Sequence, residues 1–254
     1  VRAFAFIPAR GGSKRVPGKN LAEVGGVSLL DRAIEAALYG LPRPSTEPRI
    51  WVSTDDAEID EAARGWNDDV VDVLVHERPP QLATDHAQIE AAIAHWWTRL
   101  DDKPDAIVLL QPTSPFRTAA HVREALRLME ATGADSVVGV TLGHEHHFAG
   151  RLKPREVPSV HAAYLAATGQ ARSWYDFAPF RDVTAARPRT QDLRPMGAEN
   201  GSVYVTRRAA FEATGLRMSG HMVALPMTRV EGWDVDTQED IDVCNALVAA
   251  GVCK

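Results

Sequence analysis

The chain is 254 residues long, 45% hydrophobic and 24% charged, with a formal net charge of −6. That length buries a sizeable core as one large domain, or one domain with a small appendage. The acidic balance without a basic tail argues against a nucleic-acid partner, and the absence of any run of about 18 apolar residues argues against a membrane span. The opening run VRAFAFIPARGG breaks at glycine. It lacks the basic leader and long apolar middle of a signal peptide, so it is expected to be a buried strand feeding a loop. Cys244 and Cys253 stand alone near the end, with no disulfide framework or metal-site spacing. A reducing cytoplasm is the expected compartment.

In chain order, Ala3 to Pro8 reads as a central strand. Ser28 to Leu38 reads as a helix with Ser28 as N-cap, and Arg49 to Thr54 as a second strand. A helix with an acidic start follows at Asp55, Asp56 and Glu58. Val70 to Val75 is expected as a third strand, His86 to Trp97 as a helix capped by Asp85, and Ala106 to Leu110 as a fourth strand that Pro112 and Pro115 terminate. Thr118 to Met129 reads as a helix and Ser136 to Val140 as a fifth strand. Residues 143 to 198 are rich in His, Pro, Arg and aromatics with weak periodicity, as in an inserted lobe, extended arm or subunit contact. A strand at Ser202 to Thr206 and a helix from about Gln238 to Ala250 resume the pattern. Strands alternating with helices indicate an α/β fold with a mostly parallel sheet.

Three constellations carry chemistry. After the first strand comes Pro8-Ala9-Arg10-Gly11-Gly12-Ser13-Lys14-Arg15-Val16-Pro17-Gly18-Lys19-Asn20. Its glycines allow close backbone approach, its N–H groups can form an anion nest, and Arg10, Lys14, Arg15 and Lys19 crowd cations onto one loop. A triphosphate suits such a loop at the end of a parallel strand, although the Walker spacing is absent. Near the C-terminus, Asp234 and Asp236 would converge if they lie on a strand, offering oxygen ligands that suit Mg²⁺. Asp240 and Glu239 are explained as the acidic start of a helix. Arg78, beside two prolines, is on its own terms an exposed loop arginine. The run His144, Glu145, His146, His147 is a poor metal site, because adjacent histidines do not easily face one ion. Trp174, Tyr175, Phe177 and Phe180 are expected to pack an arm or an interface.

IPARGGSKRVPGKN resembles the signature loop of the acylneuraminate cytidylyltransferases, which make CMP-sialic acids. Leu109-Leu110-Gln111-Pro112-Thr113-Ser114-Pro115-Phe116-Arg117-Thr118 is similar to their second signature. VSTDD at 52–56, Arg78-Pro79 with Leu82-Ala83-Thr84-Asp85, Asn200-Gly201-Ser202-Val203-Tyr204-Val205 and Asp234-Val235-Asp236-Thr237 follow in family order. The resemblance implies one Rossmann-like nucleotidyltransferase domain over 1–254, with a mixed, mostly parallel sheet and with 143–198 as a protruding dimerisation arm and acceptor-side segment. It implies a homodimer that uses CTP and Mg²⁺, places CMP on a small acidic acceptor and releases pyrophosphate. By the same resemblance Ala9, Arg10, Gly11, Gly12, Ser13, Lys14, Asn20, Arg78 and the backbone at Ala87 bind the nucleotide. Arg10, Lys14 and Asp236 are expected to act in catalysis and Asp234 and Asp236 to hold the metal; Gln111 is expected to meet the acceptor or the ribose, and Thr113, Asn200 and, outside the family pattern, Arg187 and Arg189 the acceptor.

The acceptor side departs from the family pattern. Thr190 and Ala198 stand where the family has arginines, and His86, Gln88 and Ile89 follow Asp85 where it favours small hydroxyl residues. Arg187, Arg189 and Arg194 are candidates to compensate. Because bidentate arginines grip carboxylates and phosphonates, the losses suggest a changed acceptor, and a phosphonate is one such class. Sugar-phosphate or molybdopterin nucleotidyl transfer, a glycosyltransferase with Asp-x-Asp, and a non-catalytic nucleotide-binding regulator are the competing assignments.

Overall fold

The computed structural model describes residues 1–42, 49–67, 72–144, 150–155, 174–179 and 195–253. The chain divides into two compact units, residues 1–142 with 197–254, and residues 143–196.

The larger unit is built on β1 (Ala3–Pro8), which alternates between two cores. Ala3, Ala5 and Ile7 enter one apolar cluster and Phe4 and Phe6 another. This is the period of two that places successive side chains on opposite faces of a strand. A hairpin follows, β2 (Glu23–Val24) and β3 (Val27–Ser28), turned by Gly25 and Gly26 at φ 62 and 76. Two successive residues at positive φ favour glycine and match the right-handed twist of a two-residue hairpin. Next come α1 (Leu29–Gly40), β4 (Ile50–Thr54), α2 (Ala57–Arg64), β5 (Val73–Glu77), α3 (Ile89–Trp97), β6 (Ala106–Leu109) and α4 (Ala119–Thr132). The unit ends with β7 (Ser136–His144), β10 (Pro195–Arg207), α5 (Arg208–Thr214), β11 (Met222–Met227) and α6 (Gln238–Ala249). In the smaller unit, β8 (Gly150–Arg155) and β9 (Trp174–Pro179) pair antiparallel, Arg155 opposite Trp174.

The seven-stranded sheet runs in the order β11-β7-β10-β6-β1-β4-β5. β1 pairs in parallel with β4 and β6, β4 with β5, and β7 with β11, while β10 runs antiparallel to β6. The sheet is therefore mixed and mostly parallel. Residues of α1, α2 and α4 cover one face, and residues of α3 and α5 the other. The chain moves outward from β1 to β4 and β5, then returns to β6 on the opposite side of β1. The resulting switch point opens a crevice beyond the carboxyl ends of β1 and β6, the usual place for a ligand in such sheets.

Most expected elements are present, with four corrections. Asp85 does not cap α3; the N-cap is Gln88, because the Asp85 carboxylate is drawn to Arg10 and Lys14. The third strand starts at Val73 and runs to Glu77, displaced toward the C-terminus from the expected span, of which residues 70 and 71 lie outside the described residues. Trp233 to Asp236 has no strand pairing, since Val235 N–H bonds back to the Thr113 carbonyl rather than to a sheet neighbour. The hairpin, α5 and β11 were not foreseen; the Gly-Gly pair between two valines was the available signal for the first.

Candidate active site

A third apolar cluster fixes the site. Val16 from the loop after β1, Phe116 from the loop after β6 and Val235 from the C-terminal loop are all buried against Ile241 and Cys244 of α6. One buried residue from each loop thus anchors the segments carrying the cations, the Gln111 turn and the two aspartates. Burial also pushes the Cys244 thiol up to about 12, which makes it an inert core residue.

The cation loop lines a cavity of ≈ 480 Å³ with Arg10, Ser13, Lys14, Arg15, Lys19 and Asn20, together with Asp85, Thr113 and Asp236. Two acids divide its charges. Asp85 bonds to Arg10 Nη2 at 3.0 Å and to Lys14 Nζ at 2.5 Å, and these partners, Lys14 first, hold its carboxyl below the usual carboxylate range. Asp236 bonds to Arg15 at 3.0 Å and to Lys19 at 3.3 Å. Asn20 is buried, and its amide donates to the Arg10 carbonyl at 2.8 Å, which fixes the curl of the loop. Gly11 N–H donates to Asp55 Oδ1 at 3.0 Å, and a Cβ there would sit 2.3 Å from Asp56 Oδ2. Ala9 is buried and its N–H donates to the Ser53 carbonyl, whereas Gly12 faces open space.

Arg78 is buried, not an exposed loop arginine. Its Nε donates to Ser53 Oγ at 3.0 Å and its Nη2 to the Ser53 carbonyl at 2.7 Å. Burial lowers its pKa to about 10, against the pull of Asp55, so it stays charged at neutral pH. Ala87 lies in the turn before α3, its N–H donating to the Thr84 carbonyl.

A second cavity, of ≈ 600 Å³, is lined by Gln111, Thr141, Ala198, Glu199, Asn200, Gly201, Tyr204, Arg217, Arg229, Trp233, Asp234 and others. Asp234 faces this cavity and Asp236 the basic one, with buried Val235 between them. Burial raises the Asp234 pKa, Thr113 lowers it by hydrogen bonding, and Asp236 and Asp240 add to the rise. The two carboxylates therefore do not converge on one face as a strand would place them, and a hard cation held by both would have to displace Arg15 and Lys19 from Asp236. Mg²⁺ takes one or two protein carboxylates and keeps several waters, so two acids suffice. No set of three or more His, Cys, Asp or Glu poised for a metal occurs among the described residues. Asp240 is committed elsewhere, closing a capping box with Thr237.

The structure brings together Arg10, Lys14, Asn20, Thr113 and Asp236 at one cavity, and Gln111, Asn200 and Asp234 at the other. Asn200 is largely spent internally, accepting from Ser202 Oγ at 2.7 Å and donating to Thr141 Oγ1 at 3.3 Å. Arg187, Arg189 and Arg194 lie outside the described residues, as do Glu145, His146, His147 and Phe180. Trp174, Tyr175 and Phe177 fall on β9. Sequence reasoning missed Arg217 and Arg229, because no local signal places those arginines beside Gln111. It also assigned nothing to Arg117, whose buried guanidinium holds the Gln111 carbonyl at 2.7 Å and the Ser202 carbonyl at 3.1 Å, and whose pKa burial lowers to about 9.

Residues 4–158 match the family described as cytidylyltransferase. The chain belongs to the cytidylyltransferase family. It is 31% identical over 244 residues to N-acylneuraminate cytidylyltransferase B of Danio rerio, covering 96% of this chain and 51% of that protein. It is 32% identical over 238 residues to the N-acylneuraminate cytidylyltransferase of Oncorhynchus mykiss, covering 94% and 48%. The chain thus spans about half the length of the curated relatives it matches. Among solved structures, CMP:2-keto-3-deoxy-manno-octonic acid synthetase complexed with CTP aligns at TM-score 0.61 and 18% identity, over 99% of this chain and 100% of that one. A 4-diphosphocytidyl-2C-methyl-D-erythritol synthase from Anaerococcus prevotii aligns at TM-score 0.56 and 13% identity, over 98% and 96%. These likenesses show the fold of this cytidylyltransferase family member to be the Rossmann-like α/β nucleotidyltransferase fold.

Proposed function

We propose that this chain transfers CMP from CTP to a small acidic acceptor and releases pyrophosphate. One observation carries the proposal: a basic cavity and an acceptor-sized cavity adjoin across the Asp234-Val235-Asp236 stretch. In this scheme Arg10 and Lys14 bind the α- and β-phosphate oxygens, releasing Asp85 as they do so. Their charge is preorganised where charge moves onto the leaving pyrophosphate. Asn20 holds the loop to that shape, and Arg78 faces the base. Gln111 orients the acceptor oxygen for in-line attack on the α-phosphorus. Mg²⁺, held by Asp234 and Asp236, would supply Lewis-acid polarisation of the phosphate. An ionised phosphonate oxygen needs no general base, whereas an attacking hydroxyl of a nonulosonic acid would lose its proton to solvent as the bond to phosphorus forms.

A phosphonate is the second candidate acceptor. Ala198, which stands where the resembling sialic acid enzymes have an arginine, lines the larger cavity. The cations lining it among the described residues are Arg217 and Arg229. The test is pyrophosphate release with Mg²⁺ and CTP, ATP, GTP or UTP, against sialic acid, other nonulosonic acids and small phosphonates. CTP-selective release dependent on an acid supports the proposal; release with no acceptor, or with ATP as readily as CTP, overturns it. A homodimer is part of the same scheme, and sedimentation giving a monomer at assay concentration would remove it.

A further inference from the structure

β4 and β5 pair in parallel with Ser53 opposite His76. Ser53 is 0% exposed and His76 4%, and the His76 ring lies 6.2 Å from Phe6 at the edge of the aromatic cluster that includes Trp96. Polar side chains in such a place are costly unless every hydrogen bond is made. Here they form one chain. Arg78 Nε reaches Ser53 Oγ at 3.0 Å, Ser53 Oγ reaches His76 Nδ1 at 2.9 Å, and His76 Nε2 reaches His95 Nδ1 at 2.8 Å.

Hydrogen-bond inventory sets its direction. A guanidinium can only donate, so Ser53 Oγ accepts from Arg78. The Ser53 hydrogen then goes to His76 Nδ1. His76 carries its proton on Nε2 and donates to His95, whose own proton sits on Nε2. The opposite tautomer would leave the Ser53 hydrogen without an acceptor. Burial first, then unfavourable electrostatics with His95, Arg78 and Arg99, lower the His76 pKa to about 4, in keeping with a neutral ring. Arg78 Nε and Nη2 are both consumed by Ser53, while Nη1 has no partner among the described residues.

We propose that His76 is a positioning residue for nucleotide recognition: through the Ser53 hydroxyl it locks the Arg78 guanidinium so that the free Nη1 edge is presented beside the Arg10 loop. The inference rests on the proposed role of Arg78 toward the CTP base. The hydroxyl is turned by His76 rather than by the arginine it serves, so removing the imidazole lets Ser53 rotate and Arg78 swing within its pocket.

The experiment compares steady-state kinetics of wild type, H76N, H76Q, H76L and S53A with CTP and UTP, each alongside a melting curve. Asparagine sets a polar atom where Nδ1 stands and keeps the Ser53 contact. Glutamine sets one where Nε2 stands and keeps only the His95 contact. H76L, H76Q and S53A are expected to raise KM for CTP about tenfold, with kcat little changed and selectivity over UTP reduced, while H76N stays near wild type. If H76L does not fold, S53A and H76Q carry the test. Folded S53A and H76Q with wild-type KM, or H76N no better than its companions, overturn the inference. A wild type that shows no CTP-dependent turnover overturns the proposed function itself, and the inference with it.

Discussion

The Asp85 carboxylate stands 2.5 Å from Lys14 Nζ, occupying with its other oxygen the Arg10 guanidinium as well. An acid therefore sits on the two cations that the proposed scheme assigns to the triphosphate. Ligand entry has to break both contacts. Asp85→Asn is expected to lower KM for CTP about two- to fivefold, as loss of a partly exposed ion pair allows, and to increase inhibition by free pyrophosphate. A rise in KM would mean instead that Asp85 shapes the bound state.

Asp236→Asn and Asp234→Asn are expected to cut kcat at least about a hundredfold at saturating Mg²⁺. The melting temperature of Asp236→Asn should stay near wild type, because that side chain is 53% exposed. Near-normal turnover of either variant would remove the metal assignment.

Arg229 lines the larger cavity and has no ion pair among the described residues, whereas Arg217 is shared between Glu90 at 3.2 Å and Glu199 at 3.5 Å. Arg229→Ala should therefore raise KM for the acidic acceptor about tenfold and leave KM for CTP unchanged. Equal changes in both constants would show that Arg229 does not serve the acceptor.

Acid stability should report His76. Its folded pKa of about 4 lies below the ordinary value of 6.5. Between those values the unfolded chain binds a proton that the folded protein excludes, so stability falls as pH drops through that window. Urea midpoints should fall from pH 7 to pH 5, and less so in H76N than in wild type. An equal fall in both would place the acid sensitivity elsewhere.

Much of the scaffold could be read along the chain. The alternation of Ala3 to Ile7 and the Ser28 cap of α1 are local patterns. The crowding of Arg10, Lys14, Arg15 and Lys19 after a strand is local too, and these cations do line one cavity. The reading failed where a residue's partner is far away in sequence. Asp85 looked like a helix cap because its nearest neighbours suit one; its actual partners are more than 70 residues earlier. Arg78 looked exposed because it sits beside prolines, yet β4 packing buries it against Ser53.

The sequence by itself determined the α/β class, the order of most elements and the chemistry of the cation loop, because periodicity, caps and glycine placement act over a few residues. Only the tertiary structure decided that Val16, Phe116 and Val235 share one core, that Asp234 and Asp236 face different cavities, and that Ser53 and His76 form a cross-strand pair behind Arg78. Those relationships depend on strand order and on apolar burial joining distant segments, which no local pattern encodes.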